Sequence, residues 1–155
     1  MSQPLAYFIT WTTYGTWLHG DERCSVDRKN NSPDTDRLPP DPRRVAIERS
    51  LMKSSPQRLS GTERAIVTNA IVEHAAHRSW EILEVNVRTK HVHVVLKAFD
   101  VPTSRVRDEL KAYATRALNN AGFARPHHTW TRGGSCRAID SQDSLNEALD
   151  YVLNQ

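Results

Sequence analysis

His91-Val92-His93 lies inside an apolar, strand-like segment, and Tyr151 and Gln155 stand four residues apart at the C-terminal end of the sequence. In an extended strand residues i and i+2 point to the same face, and in a helix residues i and i+4 share a side. Two imidazoles and a glutamine amide oxygen would offer a divalent cation three neutral ligands, and the tyrosine would supply an attacking oxygen. The chemistry implied is metal-assisted nucleophilic displacement by a phenol. Each half taken alone also fits a plainer role. The chain has seven histidines, so this pair could be solvated strand residues, and Tyr151 could be a boundary residue beside a frayed helix end.

The elements that must bring these residues together are legible in the patterning. Ala6–Thr12 is aromatic and β-branched and reads as a first strand. Ser60-Gly-Thr-Glu63 has capping-box spacing, and Ile66, Val67, Ala70, Ile71 and Ala75 then recur with helical period to about Arg78. Trp80–Arg88 and His91–Phe99 read as two strands joined tightly at Thr89-Lys90. In the second of these, Val92, Val94, Leu96 and Ala98 fall on a core face and the histidines on the other. Pro102 to about Asn120 reads as a second helix. Trp130–Ile139, with Gly133-Gly134 in its middle, reads as a strand or a hairpin, and Ser141 or Ser144 can cap a final helix. On that helix Leu145, Ala148, Leu149 and Val152 form an apolar stripe, with Tyr151 and Gln155 at its edge. The order is βαββαβ plus one helix, which predicts an α+β, ferredoxin-like sandwich: an antiparallel sheet with two helices on one face and the other face free.

Residues from about 20 to 59 carry five of the eight prolines and read as a loop insertion, with Asp41-Pro42 able to start a short helix through Val45, Ile47 and Leu51. The rest forms a single domain spanning 1–155. Tyr113 is a rival nucleophile with arginines and a lysine nearby, but its period with Val106, Leu110 and Ala117 assigns it to the core. His74 and His77 read as solvated helix-edge residues rather than a metal pair.

Composition is that of a globular protein: 155 residues, 38% hydrophobic, 25% charged, with a formal charge of +3. The start of the sequence has neither a basic n-region nor a long apolar run, so the expectation is a cytoplasmic protein. Cys24 and Cys136 are the only cysteines, too few for a cysteine-built zinc site. The mild basicity is compatible with a polyanionic partner.

The strand His91-Val-His93-Val-Val-Leu96, the terminal Tyr151-x-x-x-Gln155 and the element order resemble the single-tyrosine HUH transposases of the insertion sequence 200/605 type and their REP-associated relatives. The opening Phe8-Ile-Thr-Trp-Thr-Thr-Tyr-Gly-Thr-Trp-Leu18 is similar to the N-terminal strand and loop of that group. The resemblance implies an endonuclease that cleaves and rejoins single-stranded DNA through a 5′-phosphotyrosine at Tyr151. His91, His93 and Gln155 would hold Mg²⁺ or Mn²⁺. It implies hairpin-forming DNA as partner, a homodimer, and no nucleotide cofactor. Lys97, Arg105, Arg107, Lys111, Arg132 and Arg137 are then candidate DNA contacts, and Trp11, Tyr14, Trp17 and Trp130 candidate stacking platforms. Two other readings stay open: a domesticated protein that binds structured single strands without cutting, and a metal-dependent hydrolase using water.

Overall fold

A computed structural model describes residues 3–16, 57–125 and 128–154. Strand β1 (Ala6–Thr12) is followed by helix α1 (Gly61–His77), strands β2 (Glu81–Val87) and β3 (His91–Lys97), helix α2 (Thr103–Asn120), strand β4 (Ser135–Ile139) and helix α3 (Gln142–Leu153). The strands form one antiparallel sheet in the order β2-β3-β1-β4. This is the expected βαββαβ order with its extra helix. The short helix expected from Asp41, and most of the expected insertion, lie outside the described residues.

Alternation divides the sheet into two faces. Ile9 and Trp11 of β1 and Val92, Val94 and Leu96 of β3 pack with Val67, Ile71 and Ala75 of α1 and Val106, Leu110, Ala114 and Leu118 of α2. A smaller cluster forms opposite, where Leu145, Ala148 and Val152 of α3 cover Ala6, Val95 and Ile139. That face was expected to be free; the apolar stripe of α3 needs a seat and takes part of it.

Local signals set the element ends. Ser60 and Glu63 form a reciprocal capping box at α1. The helix stops in a Schellman turn, with the Ser79 amide donating to the Ala76 carbonyl and the Trp80 amide to the Ala75 carbonyl. Ser79 adopts φ +60°, a left-handed conformation unusual outside glycine. Ser141, the first of the two serine candidates, caps α3 by accepting from the Ser144 amide. In β2 the register shifts between Ile82 and Glu84, so that Ile82, Val85 and Val87 share the helix-covered face while Glu84 and Asn86 lie on the histidine face.

The chain on either side of residues 17–56 is drawn together. The Gln57 amide donates to the Tyr14 carbonyl at 2.9 Å, and the Thr13 hydroxyl donates to the Gln57 carbonyl at 2.7 Å.

Candidate active site

The β1–β3 ladder sets Thr12 opposite His91 and Thr10 opposite His93, and the β2–β3 ladder sets Asn86 opposite His93. The two imidazoles project from one face as i, i+2 alternation requires. Their rings are nearly parallel, with centroids 6.0 Å apart and an interplanar angle of 12°. His93 is buried, while His91 is half-buried.

Burial, and then the nearby charges of His91 and Arg88, lower the pKa of His93 to about 4. It is therefore neutral near pH 7, the state in which an imidazole ligates a metal. Its Nδ1 lies 3.2 Å from the Thr10 hydroxyl oxygen. If Nδ1 carries the proton and donates to that hydroxyl, the Nε2 lone pair is left for a cation. That nitrogen then suits a divalent ion, with the His91 ring beside it on the same face. Gln155, the expected third ligand, lies outside the described residues, and among the described residues no group of three or more His, Cys, Asp or Glu side chains could hold a metal.

Helix α3 delivers Tyr151 to the same place. The tyrosine ring stands edge-on to His93 with centroids 5.6 Å apart and an interplanar angle of 89°. Phe8, on β1, completes a three-ring cluster at 6.1 Å from His93 and 6.0 Å from Tyr151. Tyr151 is 49% exposed, so a ligand can reach it from solvent. The amide nitrogen of Asn86 donates to the Val152 carbonyl at 2.7 Å, tying the last turn of α3 to β2.

The expected DNA contacts divide into two groups. Arg137 lies over Phe8 at 5.6 Å, beside the three-ring cluster, and Lys97 at the far end of β3 pairs with Glu81 at 3.4 Å. Arg132 is exposed in the loop before β4. Arg107 and Lys111 instead serve the fold. Arg107 Nη1 donates to the Gly134 carbonyl, and Lys111 Nζ donates to the Thr131 and Gly133 carbonyls, each at 2.8 Å. Burial, with Arg107 nearby, lowers the Lys111 pKa to about 8. Arg105 pairs with Glu109 on α2, which lies across the sheet from the histidine face.

Trp11 and Trp130 are corrections to the expected stacking platforms. They are 1% and 8% exposed and pack edge to face at 6.0 Å, so no base can stack on them without opening the core. Trp17 lies outside the described residues. Tyr113 and His74 exchange their expected places. Tyr113 is 38% exposed because Ala114, not Tyr113, continues the buried stripe of Val106, Leu110 and Leu118. His74 is buried beneath Tyr113, stacked at 3.8 Å, with Nε2 2.8 Å from Glu109. Thr10, Asn86 and Arg88 were missed. A two-residue turn at Thr89-Lys90 already sets Arg88 against His91 and Asn86 against His93, whereas pairing Thr10 with His93 needs the strand order.

A four-stranded antiparallel sheet with α1 and α2 on one face and α3 on the other is similar to the tyrosine-transposase fold. The chain belongs to the IS200-like transposase family, described as "Transposase IS200 like", whose profile it matches over residues 51–155. In three dimensions it is similar to a candidate transposase from Deinococcus radiodurans R1, with a TM-score of 0.50, 16% identity, and coverage of 100% of this chain and 93% of that one. It is also similar to a REP-associated tyrosine transposase bound to a REP hairpin, with a TM-score of 0.52, 13% identity, and coverage of 98% of this chain and 68% of that one. At such identities the likeness is one of fold. No curated protein matches the chain in sequence. Among the described residues no helix is long and apolar enough to cross a membrane.

Proposed function

We propose that this transposase cuts and rejoins single-stranded DNA with Tyr151 as the nucleophile. The observation that carries the reading is the juxtaposition of an exposed phenol ring with a buried, neutral histidine, brought together from α3 and β3. The Tyr151 oxygen attacks the scissile phosphorus, a new P–O bond forms, and the bond to the 3′ oxygen breaks. The products are a 5′-phosphotyrosine and a free 3′-OH, the phenol proton being lost and the departing oxygen gaining one. Attack by another 3′-OH reverses these steps and joins a new strand, so no nucleotide hydrolysis is needed.

His91 and His93, with Gln155, would hold Mg²⁺ or Mn²⁺, which supplies charge to offset that developing on the phosphate oxygens. Thr10 orients His93 for this, and burial keeps the imidazole unprotonated. Arg137, beside Phe8, is placed to meet the DNA backbone. The substrate is hairpin-forming single-stranded DNA, and the working unit is a homodimer.

The test is a denaturing gel that traps protein on labelled single-stranded DNA from around its own gene, with Mn²⁺ or with EDTA. An adduct that needs Mn²⁺, vanishes in Tyr151→Phe and persists in Tyr113→Phe is expected. Hairpin binding on a native gel without any adduct would instead make the protein a binder. Metal-dependent cutting that survives Tyr151→Phe would make it a hydrolase using water.

A further inference from the structure

We infer that Asn86 is a positioning residue that fixes the placement of Tyr151 over His93, an inference that rests on the cleavage reading for its catalytic consequence. Helix α3 sits on the sheet mainly through Leu145, Ala148 and Val152 against Ala6, Val95 and Ile139. Apolar contact of this kind is non-directional. A slip of one residue along the helix would move Tyr151 by about 1.5 Å and turn it by about 100°. A directional bond is needed to select one register.

Asn86 supplies it. The last four carbonyls of a helix have no partner within the helix, and the Val152 carbonyl is one of them on α3. Asn86 Nδ2 donates to it at 2.7 Å. Val152 is fully buried and follows Tyr151 directly, so the bond holds the carbonyl one peptide away from the nucleophile. At the other end of the same cross-strand pair stands His93. One side chain therefore references the tyrosine helix to the strand position of the histidine it must meet. The register shift between Ile82 and Glu84 puts Asn86 on this face at all; without it, β2 would carry Asn86 on the same face as Ile82.

Asn86→Asp keeps the shape but replaces the donor with a carboxylate oxygen facing the Val152 carbonyl, and Asn86→Ser removes the reach. In the full-length protein, NMR of the His93 ring protons reports the edge-on Tyr151 ring directly. The unsubstituted protein and Tyr151→Leu give the two reference positions. Both Asn86 variants are expected to move the His93 signals toward the Tyr151→Leu position while the Trp11 and Trp130 indole signals stay in place. Hairpin binding should be retained, and adduct formation should slow by about 10–100-fold, as misplacement of a reacting group by about 1 Å would produce. His93 signals that remain at the unsubstituted position in both variants would overturn the assignment. Failure of the unsubstituted protein to form any adduct would remove the cleavage reading instead, and the NMR shift would still decide whether Asn86 places Tyr151.

Discussion

Thr10 touches the proposed metal ligand, its hydroxyl oxygen lying 3.2 Å from His93 Nδ1. Thr10→Val preserves shape and β propensity but leaves that nitrogen without a partner. Mn²⁺ affinity, followed by titration calorimetry, should fall by roughly 10–100-fold with little change in melting temperature. His93 also fixes a pH dependence. Its pKa falls from 6.5 in the unfolded chain to about 4 in the fold, so between these values the unfolded state binds the extra proton. Its contribution to stability is therefore fully present above pH 6.5 and is lost as the pH falls toward 4. Urea midpoints across that range should drop, and more steeply than in His93→Gln. At this scale the sequence was informative where a residue's role depends on near neighbours: alternation aligns His91 with His93, and helical period sets Tyr151 at a stripe edge. Trp11 was misjudged by residue type, although its parity with Ile9 already assigned it to the core face. Asn86 faces His93 across a hairpin whose tight turn already fixes that pairing, whereas Thr10 gains its role from a strand 83 residues away, which spacing along the chain does not encode.

At the scale of elements, most boundaries were readable because capping and alternation are local, whereas the turns were not. Ser79 closes α1 in a left-handed conformation at φ +60°. Ser79→Gly should raise the unfolding free energy by about 1 kcal/mol, measured by urea denaturation, because it removes the Cβ penalty at that position. Gly134 makes the opposite case. It has φ +136°, and a Cβ there would lie 2.6 Å from the Thr10 carbonyl oxygen and 3.1 Å from Trp11 Cβ. Gly134→Ala should cost about 1–3 kcal/mol from backbone strain alone, with further loss from the clash. Gly122→Ala, at φ +91° with nothing within 4 Å of the added carbon, should cost only the conformational term of about 1 kcal/mol. The pair of glycines was visible as a break in a strand-like run, yet nothing in it showed that β1 passes so close. Nor did the pattern disclose that Arg107 and Lys111 bind the carbonyls of this turn, since a cation on a helix looks the same whether its partner is a phosphate or a backbone.

The whole molecule separates its tasks by face. Helices α1 and α2 stabilise one side of the sheet, and α3 covers only part of the other, beside which the histidines, Tyr151 and Arg137 gather. DNA binding should follow this division. Arg137→Gln should weaken hairpin binding and reduce the slope of log affinity against log salt by about one, whereas Arg116→Gln on α2 should leave both unchanged. Filter-binding assays over a salt series distinguish the two. Element order, and hence the fold, was accessible because each segment declares its own period; the occupation of the second face was not, because it depends on where α3 docks. The family match begins at residue 51, yet β1 is a central strand of the sheet and comes before it. The two meet through the hydrogen bonds from Gln57 to Tyr14 and from Thr13 to Gln57. Since Tyr14 and Gln57 are held side by side, a short Gly-Ser bridge has little distance to span between the two flanks, and a protein carrying that bridge should still fold with β1 in its place, as its urea midpoint would show.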